Sequence, residues 1–194
     1  MPLVPPDPPL SADGIVLRLV DDSDVGWITQ ACADPEITRY IPFIPDPYTE
    51  ADARAFVRYA QEGWASGSHA PFVIAEAGDR AADGTGDRAG IGAIELHLDA
   101  RDKAVGETGY WLCPAARGKG AATTALRLIA AWAFAELGIQ RLQLVTAPEN
   151  VPSQRVAERA GFIREGLLRA WLPTAAGRRD SFMFSLLPGE AGGR

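Results

Sequence analysis

The residues with the sharpest chemical meaning are Arg117-Gly118-Lys119-Gly120-Ala121-Ala122. They fall between a stretch that reads as a strand and one that reads as a long helix. A helix starting here presents unpaired backbone N–H groups at the positive end of its dipole. Glycines let that backbone approach an anion closely, and Arg117 and Lys119 add charge beside it. A phosphate or pyrophosphate is the natural ligand of such a junction. The competing reading is a strand-to-helix turn whose basic residues face water. The segment is neither a Walker loop nor a GxGxxG loop, since no Lys-Ser/Thr pair follows a four-residue gap and no nucleotide-binding βαβ unit surrounds it. Of the 19 basic residues only Lys103 and Lys119 are lysine, so a lysine among glycines stands out from an arginine-rich background.

Other polar groups carry weaker signals. Asn150 precedes a short helical stretch and caps it; Ser153, three residues on, shares its face. Both are satisfied by capping alone. Glu107 opens a strand and Glu95 lies on the neighbouring one. Each is a solvent-facing strand glutamate or a base for a proton. His69 and His97 are the two histidines of the chain and match no motif, so non-catalytic roles are expected. Cys32 and Cys113 have no metal or redox spacing and read as reduced, packed thiols. No metal site is expected.

The elements that must position these groups follow from periodicity and caps. Residues 15–20 alternate as a strand. Asp22 and Ser23 start a helix to about residue 33, which Pro35 helps to stop. Residues 39–48 hold three prolines and three aromatics and read as a loop. Thr49 and Asp52 cap a helix through about residue 65, with Ala53, Phe56, Val57 and Ala60 on its apolar face. Strands are expected at 72–77 and 89–98, joined as a hairpin by the polar connection 78–88, and at 106–113. Residues 120–137 form the strongest helix, with Leu126, Ile129, Ala130, Ala133, Phe134 and Leu137 on one stripe and Gly138 closing it. A strand at 141–146, a helix at 151–160 ended by Gly161, and strands at 162–172 and 179–187 around Gly177 complete the domain. This order gives seven strands and four helices in an α/β (α+β) mixture, with antiparallel hairpins and one βαβ-like segment. Residues 1–13, with five prolines, and 188–194 read as flexible tails around a domain at 14–187.

Arg117-x-x-Gly120-x-Ala122 resembles the Q/R-x-x-G-x-G/A signature of the Gcn5-related N-acetyltransferase (GNAT) superfamily. The element from Asn150 through Ser153 and Val156 to Gly161-Phe162 is similar to the family's following N-x-x-S-x-x-V-x-x-x-x-G-F. The segments near 16–24, 34–42 and 178–187 resemble the subgroup of RimJ/RimL-type ribosomal-protein N-terminal acetyltransferases. The resemblance covers about residues 15–187. It implies a mixed, mostly antiparallel twisted sheet whose fourth and fifth strands splay apart. It implies acetyl-CoA as co-substrate, with its pyrophosphate at residues 117–122 and its pantetheine arm along the end of the fourth strand. A backbone N–H near Leu112 would polarise the thioester carbonyl. Asn150 and Ser153 would contact the arm, and Ser153 would return a proton to the CoA thiolate. Many family members place a tyrosine acid four residues before the Gly-Phe pair; Ala157 stands there, so a tyrosine acid from that position is excluded and Ser153 or water substitutes. Glu107 becomes the base, direct or through water, with Glu95 in reserve. Tyr40, Phe43 and Trp171 would border the acceptor groove.

Composition bounds the partners. The chain has 194 residues, 47% apolar and 23% charged, which suffices for one full core. A net charge of −6 disfavours nucleic acid as partner. The start lacks a basic, apolar leader, and the apolar stretch 121–137 carries Arg127 and Glu136, so no membrane segment is expected. The expected setting is the cytoplasm, as monomer or homodimer. The expected activity is acetyl transfer to a primary amine, a peptide or protein N-terminus first. A small amine such as a polyamine or antibiotic is the alternative, and a silent acyl-CoA-binding module the reading from another class.

Overall fold

Alternating apolar residues give one sheet two buried faces. A computed structural model describes residues 1–78, 90–174 and 176–190. Its strands are β1 (Leu10–Ala12), β2 (Ile15–Leu19), β3 (His69–Glu76), β4 (Gly92–Leu98), β5 (Val105–Leu112), β6 (Arg141–Thr146), β7 (Ile163–Thr174) and β8 (Gly177–Leu186). Its helices are α1 (Val25–Ala31), α2 (Pro35–Tyr40), α3 (Glu50–Ser66), α4 (Ala121–Glu136) and α5 (Val151–Arg159). The strands form one sheet in the order β1-β2-β3-β4-β5-β6-β8-β7. Every pairing is antiparallel except β5 with β6.

β3 shows why both faces are covered. Phe72 and Ile74 belong to the core shared with α4, including Leu126, Ile129 and Ala133. Val73 and Ala75, one residue out of phase, pack with Ile28 of α1 and Val57 and Ala60 of α3. α3 begins on the expected capping box, in which Thr49 and Asp52 satisfy each other's backbone N–H groups.

Two elements depart from the sequence expectation. Leu10–Ala12, placed in the flexible tail, forms an edge strand on β2, turned by Asp13-Gly14 with φ of 48° and 76°. That Asp-Gly pair is a hairpin signal, and an edge strand tolerates neighbouring prolines. Leu3 also donates its N–H to Trp64 O at 3.0 Å. Pro35, expected to stop a helix, instead sits in the first turn of α2, capped by Asp34; the first turn is where proline's missing N–H costs nothing. The described sheet therefore has eight strands rather than seven, with five α-helices rather than four. Most of the expected connection 78–88 and the end of the tail 188–194 lie outside the described residues.

β5 and β6 are the expected fourth and fifth strands, and they part. They pair only at Val105↔Arg141, Gly106↔Leu142 and Glu107↔Gln143. Gly106 permits the close approach at this apex, where a Cβ would lie 2.8 Å from Leu96 and 3.4 Å from Leu142. Beyond it β5 stays on β4 as far as Leu112, while β6 stays on β8.

Candidate active site where two strands part

Three groups of residues surround the divergence. The first is the start of α4. Gly118 and Gly120 have φ of 75° and 93°, which L side chains rarely adopt. Gly120 is the N-cap and no side chain caps the helix. Ala121 and Ala122 are buried in the core, which fixes the direction of the first N–H groups. Lys119 is exposed beside them. Arg117 is spent differently from the expectation of a charge aimed at an anion. Its guanidinium pairs with Asp34 before α2, and its Nε donates to Leu112 O at 3.2 Å. It ties the junction to α2.

The second group faces α4 and α5. Cys113 N donates to Ile91 O at 2.9 Å, toward β4. Strand alternation then turns the backbone groups of Leu112 to the other side, into the gap. Arg117 takes that carbonyl. Asn150 caps α5, accepting from Ser153 N at 3.2 Å. Tyr110 Oη donates to Ser153 Oγ at 3.2 Å, across 43 residues of sequence. Burial pushes the Tyr110 phenol up to about 12, against a smaller lowering from that bond. Tyr110 was not among the expected site residues; its place in the strand 106–113 was legible, but nothing local joined it to Ser153.

The third group faces α3. Glu107 accepts from Gln143 Nε2 at 3.2 Å at the apex. His97 Nε2 lies 3.0 Å from Glu95 Oε1, and Tyr59 Oη lies 3.5 Å from Glu95 and 3.4 Å from His97. The hydrogen bond from His97 to Glu95, the charge of Glu95 and that of Glu107 raise the His97 pKa, against burial.

One cavity of about 960 Å³ joins the second and third groups. Its walls include Glu107, Glu95, Asn150 and Ser153 of the expected residues, and His97, Tyr59, Tyr110 and Gln143 besides. Tyr40 and Phe43 border it, as does Arg179. Arg179 holds the carbonyls of Arg39 and Tyr40 at 3.0 Å each, fixing the start of that wall to β8. Trp171 is exposed and, like Leu112 and residues 117–122, is not among the residues lining this cavity. Among the described residues no cluster of His, Cys, Asp or Glu could hold a metal ion. No described helix is long and apolar enough to cross a membrane.

The profile of the Acetyltransferase (GNAT) domain family matches residues 15–163. The uncharacterized N-acetyltransferase p20 of Bacillus licheniformis is 27% identical over 186 residues, spanning 95% of this chain and 98% of its own. The ribosomal-protein-S5-alanine acetyltransferase of Vibrio fischeri superposes with a TM-score of 0.78 at 18% identity, over 93% of this chain and 97% of that one. The microcin C7 self-immunity acetyltransferase MccE, solved with acetyl-CoA and AMP, gives 0.77 at 18%, over 91% and 93%. The parted strands, the uncapped helix start and the matched profile agree: this chain belongs to the GNAT family and is an acetyl-CoA-dependent N-acetyltransferase.

Proposed function

We propose that the acceptor is the α-amine of a peptide or protein N-terminus. The observation that carries this is the lining of the cavity. Two carboxylates, Glu95 and Glu107, share its walls with the apolar run Ile41–Ile44 and with Arg179 and Ser181 of β8. Such a lining suits a cationic head followed by a chain with apolar side groups. The fold shared with the S5-alanine acetyltransferase supports the same reading. An α-amine also asks less of the site. Deprotonation at pH 7 costs ~1.2 kcal/mol from its reference pKa, against ~4.6 for lysine.

The residues divide the work as follows. Backbone N–H groups at Gly118, Gly120, Ala121 and Ala122, with Lys119, hold the pyrophosphate of acetyl-CoA. Arg117 locks this junction in place. Leu112 N–H polarises the thioester carbonyl. Asn150 and Ser153 flank the pantetheine arm. The Ser153 hydroxyl, backed by the Tyr110 phenol, returns a proton to the departing sulfur. Glu107 draws the ammonium group to the apex.

A second reading is transfer to a small amine. It is favoured by the fold shared with MccE, whose structure holds AMP beside acetyl-CoA. Initial rates of CoA release separate the two. A peptide with a free N-terminus should react faster than the same peptide blocked at its N-terminus but carrying an internal lysine. Equal rates contradict the α-amine assignment; reaction only with a polyamine or aminoglycoside selects the second reading.

A further inference from the structure

β4 carries Glu95 and His97 on the face turned toward α3. Antiparallel partners share a face, so His97 lies directly opposite Glu107 on β5 and His69 on β3, while Glu95 lies opposite Gly109. A Cβ at Gly109 would meet no atom within 4 Å, so the floor between Glu95 and the parted strands is bare. Glu95 Oε1 holds His97 Nε2 at 3.0 Å. That hold sets the proton on Nε2 and leaves the Nδ1 lone pair as the basic one.

The two histidines are not equivalent. His69 is buried, its Nδ1 is bonded to Ser68 Oγ at 2.8 Å and its Nε2 to Tyr59 O at 3.0 Å. Both of its nitrogens are occupied, and burial lowers its pKa. Its ring stacks between Tyr59, at 4.0 Å, and His97, at 5.4 Å, and so fixes the plane of the second imidazole. The side chain of His97 is 43% exposed and lines the cavity.

We propose that His97, oriented by Glu95, is the catalytic base of acetyl transfer, and that Glu107 supplies charge rather than taking the proton. His97 Nδ1 takes one proton from the acceptor ammonium. The neutral nitrogen forms the C–N bond as the C–S bond breaks. Its second proton passes to Ser153 Oγ as the Ser153 hydroxyl gives its own proton to sulfur, which regenerates the serine, and His97 releases the first proton to water, so ammonium and thioester become amide, thiol and one proton. Tyr59 on α3, His69 on β3, Glu95 on β4, Glu107 on β5 and Asp99 after β4 are the titratable groups around it. The hydrogen bond to Glu95 and the charges of Glu95 and Glu107 raise His97 above its ordinary 6.5, against burial. That direction strengthens it as an acceptor for a proton from an ammonium group.

The inference rests on acetyl transfer to an amine, not on the peptide reading, so any accepted amine serves in the test. The measurement is the pH dependence of kcat with saturating acetyl-CoA. In Glu95→Gln the acidic limb should move to lower pH, because the group that raises His97 is gone. In His97→Gln that limb should vanish and kcat fall by roughly 10²–10⁴-fold. Both variants should keep the wild-type rise in Tm with acetyl-CoA, since neither residue touches the start of α4. If His97→Gln does not fold, the limb of Glu95→Gln decides alone. A limb that stays put in Glu95→Gln, or one that follows Glu107→Gln instead, overturns the proposal.

Discussion

Ser153 and Arg117 show what single positions in a motif do and do not reveal. Ser153 was legible as a polar group on the first turn of a helix, but its partner Tyr110 was not, because Tyr110 comes from β5, 43 residues earlier in the chain. Ser153→Ala should lower kcat by on the order of 10²-fold if the hydroxyl supplies the proton. Tyr110→Phe should cost less, because the phenol acts through the serine; single-turnover rates check the order. Arg117 carried the family signature, yet its guanidinium closes on Asp34, 83 residues away. Charge next to a glycine pair cannot tell a ligand contact from a brace; only the fold brings Asp34 there. Titration with acetyl-CoA should therefore show Lys119→Ala weakening affinity directly. Arg117→Ala should instead lower Tm even without ligand, by an amount within the ~0–1 kcal/mol typical of a partly exposed pair.

At the scale of elements, the strand-to-helix junction before α4 was readable because its glycines mark both a turn and a close approach. Gly120 has φ of 93°, so any L residue there is strained by ~1–2 kcal/mol. Gly120→Ala should lower Tm and reduce the rise in Tm caused by acetyl-CoA. Gly120→Asp should abolish that rise, by adding a negative charge where the pyrophosphate is proposed to bind. Thermal scans with and without acetyl-CoA check both, and an undiminished rise in Gly120→Asp removes this loop from the site. α2 was not readable in the same way. Proline both ends and begins helices, and the choice depended on Asp34 capping the next turn rather than on Pro35 itself. The Asp13-Gly14 hairpin was within reach of sequence reasoning but was obscured by the five prolines before it.

Across the whole molecule, the β6-β8-β7 half of the sheet is held by a clamp no sequence pattern announces. Glu165 on β7 accepts from Arg141 on β6 at 2.8 Å and from Ser185 on β8 at 2.7 Å. These bonds, with the charge of Arg141, hold the Glu165 carboxyl at about 2 rather than its ordinary 4.5. A depressed carboxyl stabilises the fold above its ordinary value and loses that contribution as pH falls toward 2. The Tm difference between wild type and Glu165→Gln should thus be present at pH 6 and shrink steadily below pH ~4.5; the pair is partly exposed, so the difference is small and salt-sensitive. The same sheet sets the function, since β6 held on β8 and β5 held on β4 leave the gap between them. The account of that gap is tested most directly by one peptide carrying both a free N-terminus and an internal lysine, incubated with acetyl-CoA and sequenced by mass spectrometry at low conversion. The prediction is acetyl on the α-amine, with the lysine unmodified; acetyl on the lysine, or spread equally over both amines, would contradict it.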